Sequence, residues 1–214
     1  MTHQDFEKYA NERSMWGNIS PLYVEFFLNN ISPASSFRIL DFGCGDGRYF
    51  SFFKKFFKEE NIYGTEISET RIERCKKIGW KNALYLRKGD SLPFSENYFD
   101  FINFDQVIEH IPKGEVAFYL AELRRILKIG GKILILTPNY PVKRLYDVLN
   151  AALKKDPSRL KDDPTHVNRY NFKTLENELE IYFKHIKLET TGGFLYSLFK
   201  KDFFSRKIIG VLSK

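Results

Sequence analysis

The run Ile39-Leu40-Asp41-Phe42-Gly43-Cys44-Gly45-Asp46-Gly47-Arg48 constrains this chain more than any other stretch. Apolar residues and an acid lead into three glycines at alternate positions, and an aromatic segment of helical character follows. Such a run reads as a buried strand ending in backbone without side-chain bulk, where a ligand can lie directly on the main chain.

The segments around it alternate. Helical material is expected over Phe6 to Ile31, capped loosely by Asn18, Ser20 and Pro21, then a strand over Phe37 to Phe42. Arg48 to Lys58 reads as a helix, with Phe50, Phe53 and Phe57 on one stripe and Lys54, Lys55 and Lys58 pointing away. Asn61 to Glu66 is a second strand and Ser68 to Ile78 a second helix, with Ser68 as N-cap and Arg71 to Lys77 decorating its surface. Ala83 to Lys88 and Phe99 to Asp105 are further strands, and Glu115 to Leu127 is a helix stopped by Lys128-Ile129-Gly130-Gly131. Lys132 to Thr137 is a fifth strand, closed by Pro138. Strands alternating with helices of this length form a parallel sheet with helices on both faces, and ligands bind beyond the carboxyl ends of such strands. Gly43 to Gly47, Glu66, Asp90 and Asp105 all fall at those ends.

After Pro138 the pattern changes. Val142, Leu145, Tyr146, Leu149, Ala152 and Leu153 make a helical stripe, and Lys155 to Asn171 is a loop. Phe172 to Phe183 reads as a helix, with strands at Ile186 to Thr190 and Lys207 to Ser213. Residues 1–214 are expected to form one domain, with a helical cap over 1–36 and a lid-like insertion over 138–171.

Composition bounds the function classes. With 43% apolar and 16% aromatic residues, 21 of them Phe, the chain can build a real core. Cys44 and Cys75 form no disulfide or metal framework, the stretch from Met1 to Gly17 is not a signal peptide, and no apolar run approaches the roughly 20 residues that cross a bilayer. A cytoplasmic protein without a membrane span is expected. The net charge of +7 is uneven. Residues 71–88 carry seven basic side chains against Glu73, and residues 184–214 seven against Glu189 and Asp202. Patches of this kind attract RNA, phosphorylated substrates or a membrane surface, or are simply solvated; the solvated reading is favoured, and nucleic acid stays open as a partner.

A dinucleotide site would need Gly-x-Gly-x-x-Gly to seat a pyrophosphate on a helix N-terminus. Here Arg48 stands where the third glycine belongs, and Gly47 comes one residue early. The segments Ile39 to Tyr49, Tyr63 to Ile67, Gly89 to Phe94, Phe99 to Ile102, Gln106 to Ile111 and Glu122 to Ile133 occur in the order of the successive motifs of another group. Together they resemble the class I S-adenosylmethionine-dependent methyltransferases, and are most similar to the ubiquinone/menaquinone biosynthesis methyltransferase-like group. The resemblance covers about residues 37–137 and, more loosely, His166 to Leu179 and the closing strands.

It implies a Rossmann-like three-layer α/β sandwich on a mostly parallel seven-stranded sheet with an antiparallel last strand. It also implies S-adenosyl-L-methionine as cofactor. Asp41, Gly43, Gly45 and Gly47 would line its methionine end, Glu66 with Ile67 the ribose and Asp90 with Ser91 the adenine, with Asp105 beside it. For Asp41 an ordering bond to the glycine loop is an alternative that can coexist with this role, and for Asp90 the alternative is a turn former. Methyl transfer from a sulfonium needs alignment and exclusion of water, and a general base only for a protonated acceptor. His110 and His166 are the candidate bases, and Tyr9, Arg13 and Trp16 candidates to close over the cofactor. Small-RNA 2′-O-methyltransferases carry Glu-x-x-Glu-His near Gln106 to His110 and bind a divalent ion; Gln106 replaces the first glutamate, so no metal is expected. A small-molecule acceptor is the leading reading, ahead of an RNA methyltransferase or a cofactor-binding protein without catalysis. Neither the acceptor nor the oligomeric state leaves a mark in the pattern.

Overall fold

A computed structural model describes residues 3–12, 17–191 and 205–214. Arg13 and Trp16, and the Lys200 and Lys201 part of the basic tail, lie outside the described residues.

Seven strands form one sheet in the order β3-β2-β1-β4-β5-β7-β6. The strands are β1 (Ile39–Phe42), β2 (Ile62–Glu66), β3 (Ala83–Tyr85), β4 (Phe99–Asp105), β5 (Leu127–Pro138), β6 (His185–Thr191) and β7 (Lys207–Ser213). Neighbours from β3 to β5 pair in parallel, and β7 runs antiparallel between β5 and β6. The helices are α1 (His3–Glu12), α2 (Pro21–Asn30), α3 (Phe50–Phe53), α4 (Glu69–Lys77), α5 (Lys113–Ile126), α6 (Val142–Lys154) and α7 (Phe172–Glu180). This is the expected Rossmann-like α/β sandwich, with the antiparallel strand last in the chain.

The period-two alternation of the strands sorts the core into two layers. Leu40, Phe42, Ile102, Phe104, Ile133 and Ile135 pack under α5 and α7. Ile39, Phe101, Leu134 and Leu136 face α2, α3 and α4, where Phe27, Phe50, Phe53 and Trp80 cluster. Phe50 stacks on Trp80 with ring centroids 4.7 Å apart. On this second face the alternation also buries two polar side chains, Asp41 and Asn103, one beside the other.

Local structure departs from the sequence reading in four places. The helix expected over Arg48 to Lys58 has one α turn, Phe50–Phe53, framed by tighter i→i+3 bonds such as Phe50 N to Gly47 O and Phe56 N to Phe53 O. Phe52 is buried as well as Phe50, Phe53 and Phe57, so the segment wraps into the aromatic cluster and does not present a single stripe. The third strand stops pairing at Tyr85, short of Lys88. Leu86 turns inward, and a turn closes from Asp90 N to Arg87 O with Gly89 at φ +86°. The glycine stop after α5 lies inside β5: Leu127 already pairs with Phe99, and residues 128–131 bulge before Lys132 pairs with Phe101. Finally, Arg71 is buried and does not decorate the surface of α4.

Ser68 caps α4 by accepting from Arg71 N, as the sequence implies. Glu7 of α1 adds a second cap, accepting from Glu69 N at 2.7 Å, and so ties α1 across the carboxyl edge of the sheet. From the other side, residues 155–171 are pinned to that edge by Val167 N and Asn168 N, which both donate to Glu109 O.

Candidate active site

The carboxyl ends of β1, β2 and β4 converge on one cavity, lined among others by Gly43, Glu66, Ile67, Asp105, Val107 and His110. The bend after β1 is held by β2: Gly43 N and Cys44 N both donate to Thr65 O, and Gly45 N donates to Glu66 Oε2 at 2.9 Å. Gly43 has φ +75°, and a Cβ there would stand 2.5 Å from Val107 Cγ2. The main chain is therefore bare at the cavity wall because nothing else fits. Gly45 and Gly47 sit behind it, the latter against Ile78, Cys75 and Trp80.

Three carboxylates surround the bend. Glu66 Oε1 accepts from Ile67 N at 2.8 Å and from Ser68 N at 3.1 Å, and Arg71 Nη1 lies 3.8 Å from Oε2. Burial raises its carboxyl above the ordinary range, against the pull of Arg71 and the backbone amides. Asp41, 2% exposed, accepts from Asn103 Nδ2 through Oδ1 at 2.7 Å, and Tyr23 donates to Asn103 Oδ1 at 2.7 Å. Asp41 Oδ2 has no partner, and burial pushes its carboxyl up to about 7. Asp105 takes a 2.6 Å hydrogen bond from Tyr49 and an ion pair from Arg48 on Oδ2, while Oδ1 is buried and unpaired.

Unpaired buried carboxylate oxygens cost stability unless a donor completes them. A ligand ammonium lying against Gly43 would meet that need at Asp105, which lines the cavity, whereas Asp41 stands behind the wall. The residues present thus fit the amino-acid end of S-adenosylmethionine. Asp90 and Ser91 are exposed and do not line this cavity; Leu86, Lys88 and Tyr119 do.

Beyond the strand ends, Gln106 lines both this cavity and a second one that also holds Lys143, Asp162, His166 and Lys207. His110 Nδ1 lies 3.0 Å from Thr165 O, so it carries the proton and donates. Burial, aided by His166, lowers the His110 imidazole to about 4, which leaves it neutral and a weak base. His166 lies over it with ring centroids 4.8 Å apart and is lowered by burial too. Tyr9 reaches across from α1: its hydroxyl donates to Asp163 Oδ2 at 2.8 Å, and its ring centroid is 5.7 Å from the Arg71 guanidinium carbon.

Sequence reasoning missed Arg48, Tyr49, Arg71 and Gln106. Arg71 carried a signal, since three residues past an N-cap a side chain points back at the preceding strand end. Gln106 carried none, because its φ of +57° shows only in the folded backbone.

Residues 40–135 match the family model described as a methyltransferase domain. The chain is 28% identical over 193 residues to an uncharacterized protein of Methanocaldococcus jannaschii, covering 87% of this chain and 84% of that protein. It is 27% identical over 142 residues to the ubiquinone/menaquinone biosynthesis C-methyltransferase of Paraburkholderia xenovorans, covering 63% of this chain and 58% of that enzyme. An uncharacterized methyltransferase of Schizosaccharomyces pombe is 34% identical over 107 residues, and the match spans 38% of its length. A solved S-adenosylmethionine-dependent methyltransferase from Archaeoglobus fulgidus shares the fold at a TM-score of 0.65 and 19% identity, over 90% of this chain and 93% of that one. Residues 40–135 are accordingly similar to methyltransferase domains, the chain is similar to the ubiquinone/menaquinone biosynthesis C-methyltransferases over part of their length, and it has the fold of a solved S-adenosylmethionine-dependent methyltransferase.

Proposed function

We propose that this chain is a class I S-adenosylmethionine-dependent methyltransferase that acts on a small-molecule acceptor in the cytoplasm, with the cofactor in the cavity at Gly43 and the acceptor entering from the second cavity. One observation carries the cofactor placement: Asp105 Oδ1 is buried and unpaired in the wall of the cavity that bare Gly43 also lines, with the unpaired Asp41 Oδ2 behind that wall. When bound, S-adenosylmethionine supplies a methyl group on a positive sulfur. Asp105, backed by Asp41, would hold its ammonium, Glu66 and Ile67 its ribose, with Gly45 and Gly47 shaping the bend behind. Asp90 and Ser91, being exposed, would reach the adenine only from its solvent side.

Arg48 and Tyr49 keep Asp105 aimed, because both donate to its Oδ2. Helix α1 with Tyr9, and the 138–171 lid with His166, flank the opening and would exclude water. His110 is too weak a base to draw a proton from an alcohol or phenol unaided. We assign it and His166 to positioning the acceptor, and the single domain to the whole described fold. A small acceptor is favoured over RNA because Arg71, Arg74 and Lys88 of the basic 71–88 segment are paired with Glu66, Asp46 and Glu115.

The test is release of S-adenosylhomocysteine from a panel of small oxygen, nitrogen and carbon nucleophiles, with bulk RNA as competitor. Turnover on a small acceptor is expected; turnover only on RNA, lost as salt rises, overturns the acceptor reading.

A further inference from the structure

Three side chains that the cofactor site does not use come together at the seam between the two cavities. Glu109, His110 and His166 each offer a donor atom, and these atoms lie within 4.8 Å of one another. Glu109 and His110 leave the turn after β4, whereas His166 comes from the lid more than fifty residues later. His110 lines the first cavity and His166 the second.

Each of the three is anchored through one polar atom, which leaves its other one for a ligand. Glu109, 1% exposed, accepts from Thr137 Oγ1 at 2.9 Å through Oε2, while Oε1 is buried without a partner. His110 spends its Nδ1–H on Thr165 O. The Tyr140 hydroxyl donates to Asp162, so His166 Nδ1–H, 2.8 Å away, donates to the Tyr140 oxygen. Both imidazoles are thereby fixed in the tautomer that leaves a lone pair on Nε2. Metal-ligating histidines are held in this way: the second ring nitrogen donates to a carbonyl or to a group backed by a carboxylate.

We propose that Glu109, His110 and His166 form a binding site for a divalent transition-metal cation of the zinc type, facing the acceptor cavity. Two imidazoles and one carboxylate suit a borderline cation better than magnesium or calcium, which favour all-oxygen sets. Three protein ligands leave a coordination position open, and Gln106 lines both of the cavities that meet at this cluster. An oxygen-bearing acceptor could take that position. The charges that reach Glu109 through space, Asp105 and Lys207, are of opposite sign. Gln106 in place of a fourth acid does not remove the site, because the third ligand arrives from the lid and not from the local motif.

The proposal stands on this cluster alone and does not depend on what fills the first cavity. Full-length protein stripped with a chelator would be titrated with zinc, manganese and magnesium ions, with binding heat and melting temperature as readouts. Zinc is expected to bind and to raise the melting temperature, and magnesium to do neither. Glu109→Gln, a near-isostere that can still accept from Thr137, and His166→Ala should each weaken zinc by at least about 100-fold. Tyr140→Phe, which leaves all three ligands in place and removes the hydroxyl that links His166 to Asp162, should weaken it by about 10–100-fold. S-adenosylhomocysteine titrated into the same metal-free samples reports whether the fold and the cofactor site are intact. Zinc binding that is equal in wild type and variants, or no zinc binding while the homocysteine product still binds, overturns the metal site and leaves the methyltransferase reading standing.

Discussion

Replacing Asp41 by asparagine separates what this carboxylate costs the fold from what it does for a ligand. Burial, partly countered by Asn103, raises its carboxyl from 3.8 to about 7. The folded protein therefore keeps a proton that the unfolded chain has already released. The contribution to stability is complete below the unfolded value and is lost as pH rises toward 7. Each pH unit in that window is worth about 1.4 kcal/mol, so wild type loses about 3 kcal/mol from this group between about pH 5 and about pH 7. Asparagine keeps the oxygen that accepts from Asn103 and cannot titrate. The stability of Asp41→Asn relative to wild type should then grow by about 3 kcal/mol over the same interval, roughly 6–12 °C in melting temperature for a chain of this size. Glu109, pushed by burial to about 8, titrates in both proteins and drops out of the difference. Above about pH 7, where Asp41 is ionised, the same variant lacks its charge behind the ligand ammonium, and cofactor affinity there should fall by about 1.5–3 kcal/mol. Denaturation of cofactor-free protein at both pH values, paired with calorimetry of S-adenosylhomocysteine, reads both effects. Parallel pH curves for the two proteins, or unchanged affinity, would refute the reasoning.

Glu66→Gln retains an acceptor for the backbone amides but loses the charge offered to ribose hydroxyls; cofactor binding should weaken by about 1–3 kcal/mol, roughly 5- to 150-fold, and an unchanged titration removes Glu66 from the site. Gly43→Ala places a Cβ 2.5 Å from Val107 Cγ2 at φ +75°, so it should lose about 1–2 kcal/mol from the backbone alone, visible as a lower melting temperature. A Val107→Ala change in that background should recover only the packing share. His110→Ala should lower turnover while S-adenosylhomocysteine affinity stays as in wild type, and wild-type rates would dismiss it as a positioning residue.

The parts of this molecule legible in its sequence are those fixed by local periodicity or by backbone restriction. Asp41 to Gly47, Glu66 and Asp105 sit where strand ends must place them, because a parallel sheet aligns its carboxyl ends whatever the loops do. The Asp90 reading took the third strand to run up to Gly89. Pairing ends at Tyr85 because Leu86 turns into the core, and no alternation rule marks that inward turn. Arg71 was taken for a surface cation since helix periodicity shows which face is apolar, not which charge reaches down beside a strand end. The meeting of His110 with His166, and the clamp of Arg48 and Tyr49 on Asp105, join residues far apart in the chain. Only the path of the lid and of the bend after β1 brings them together.

A calorimetric titration of wild-type protein with S-adenosylhomocysteine and, separately, with a nicotinamide dinucleotide tests the central claim most directly. Asp105, with an unpaired buried oxygen, and Glu66 beside a bare Gly43 suit an ammonium and ribose hydroxyls and repel a pyrophosphate. Saturable heat with the first compound and none with the second is the predicted result. Tight binding of the dinucleotide with no heat from S-adenosylhomocysteine would contradict it.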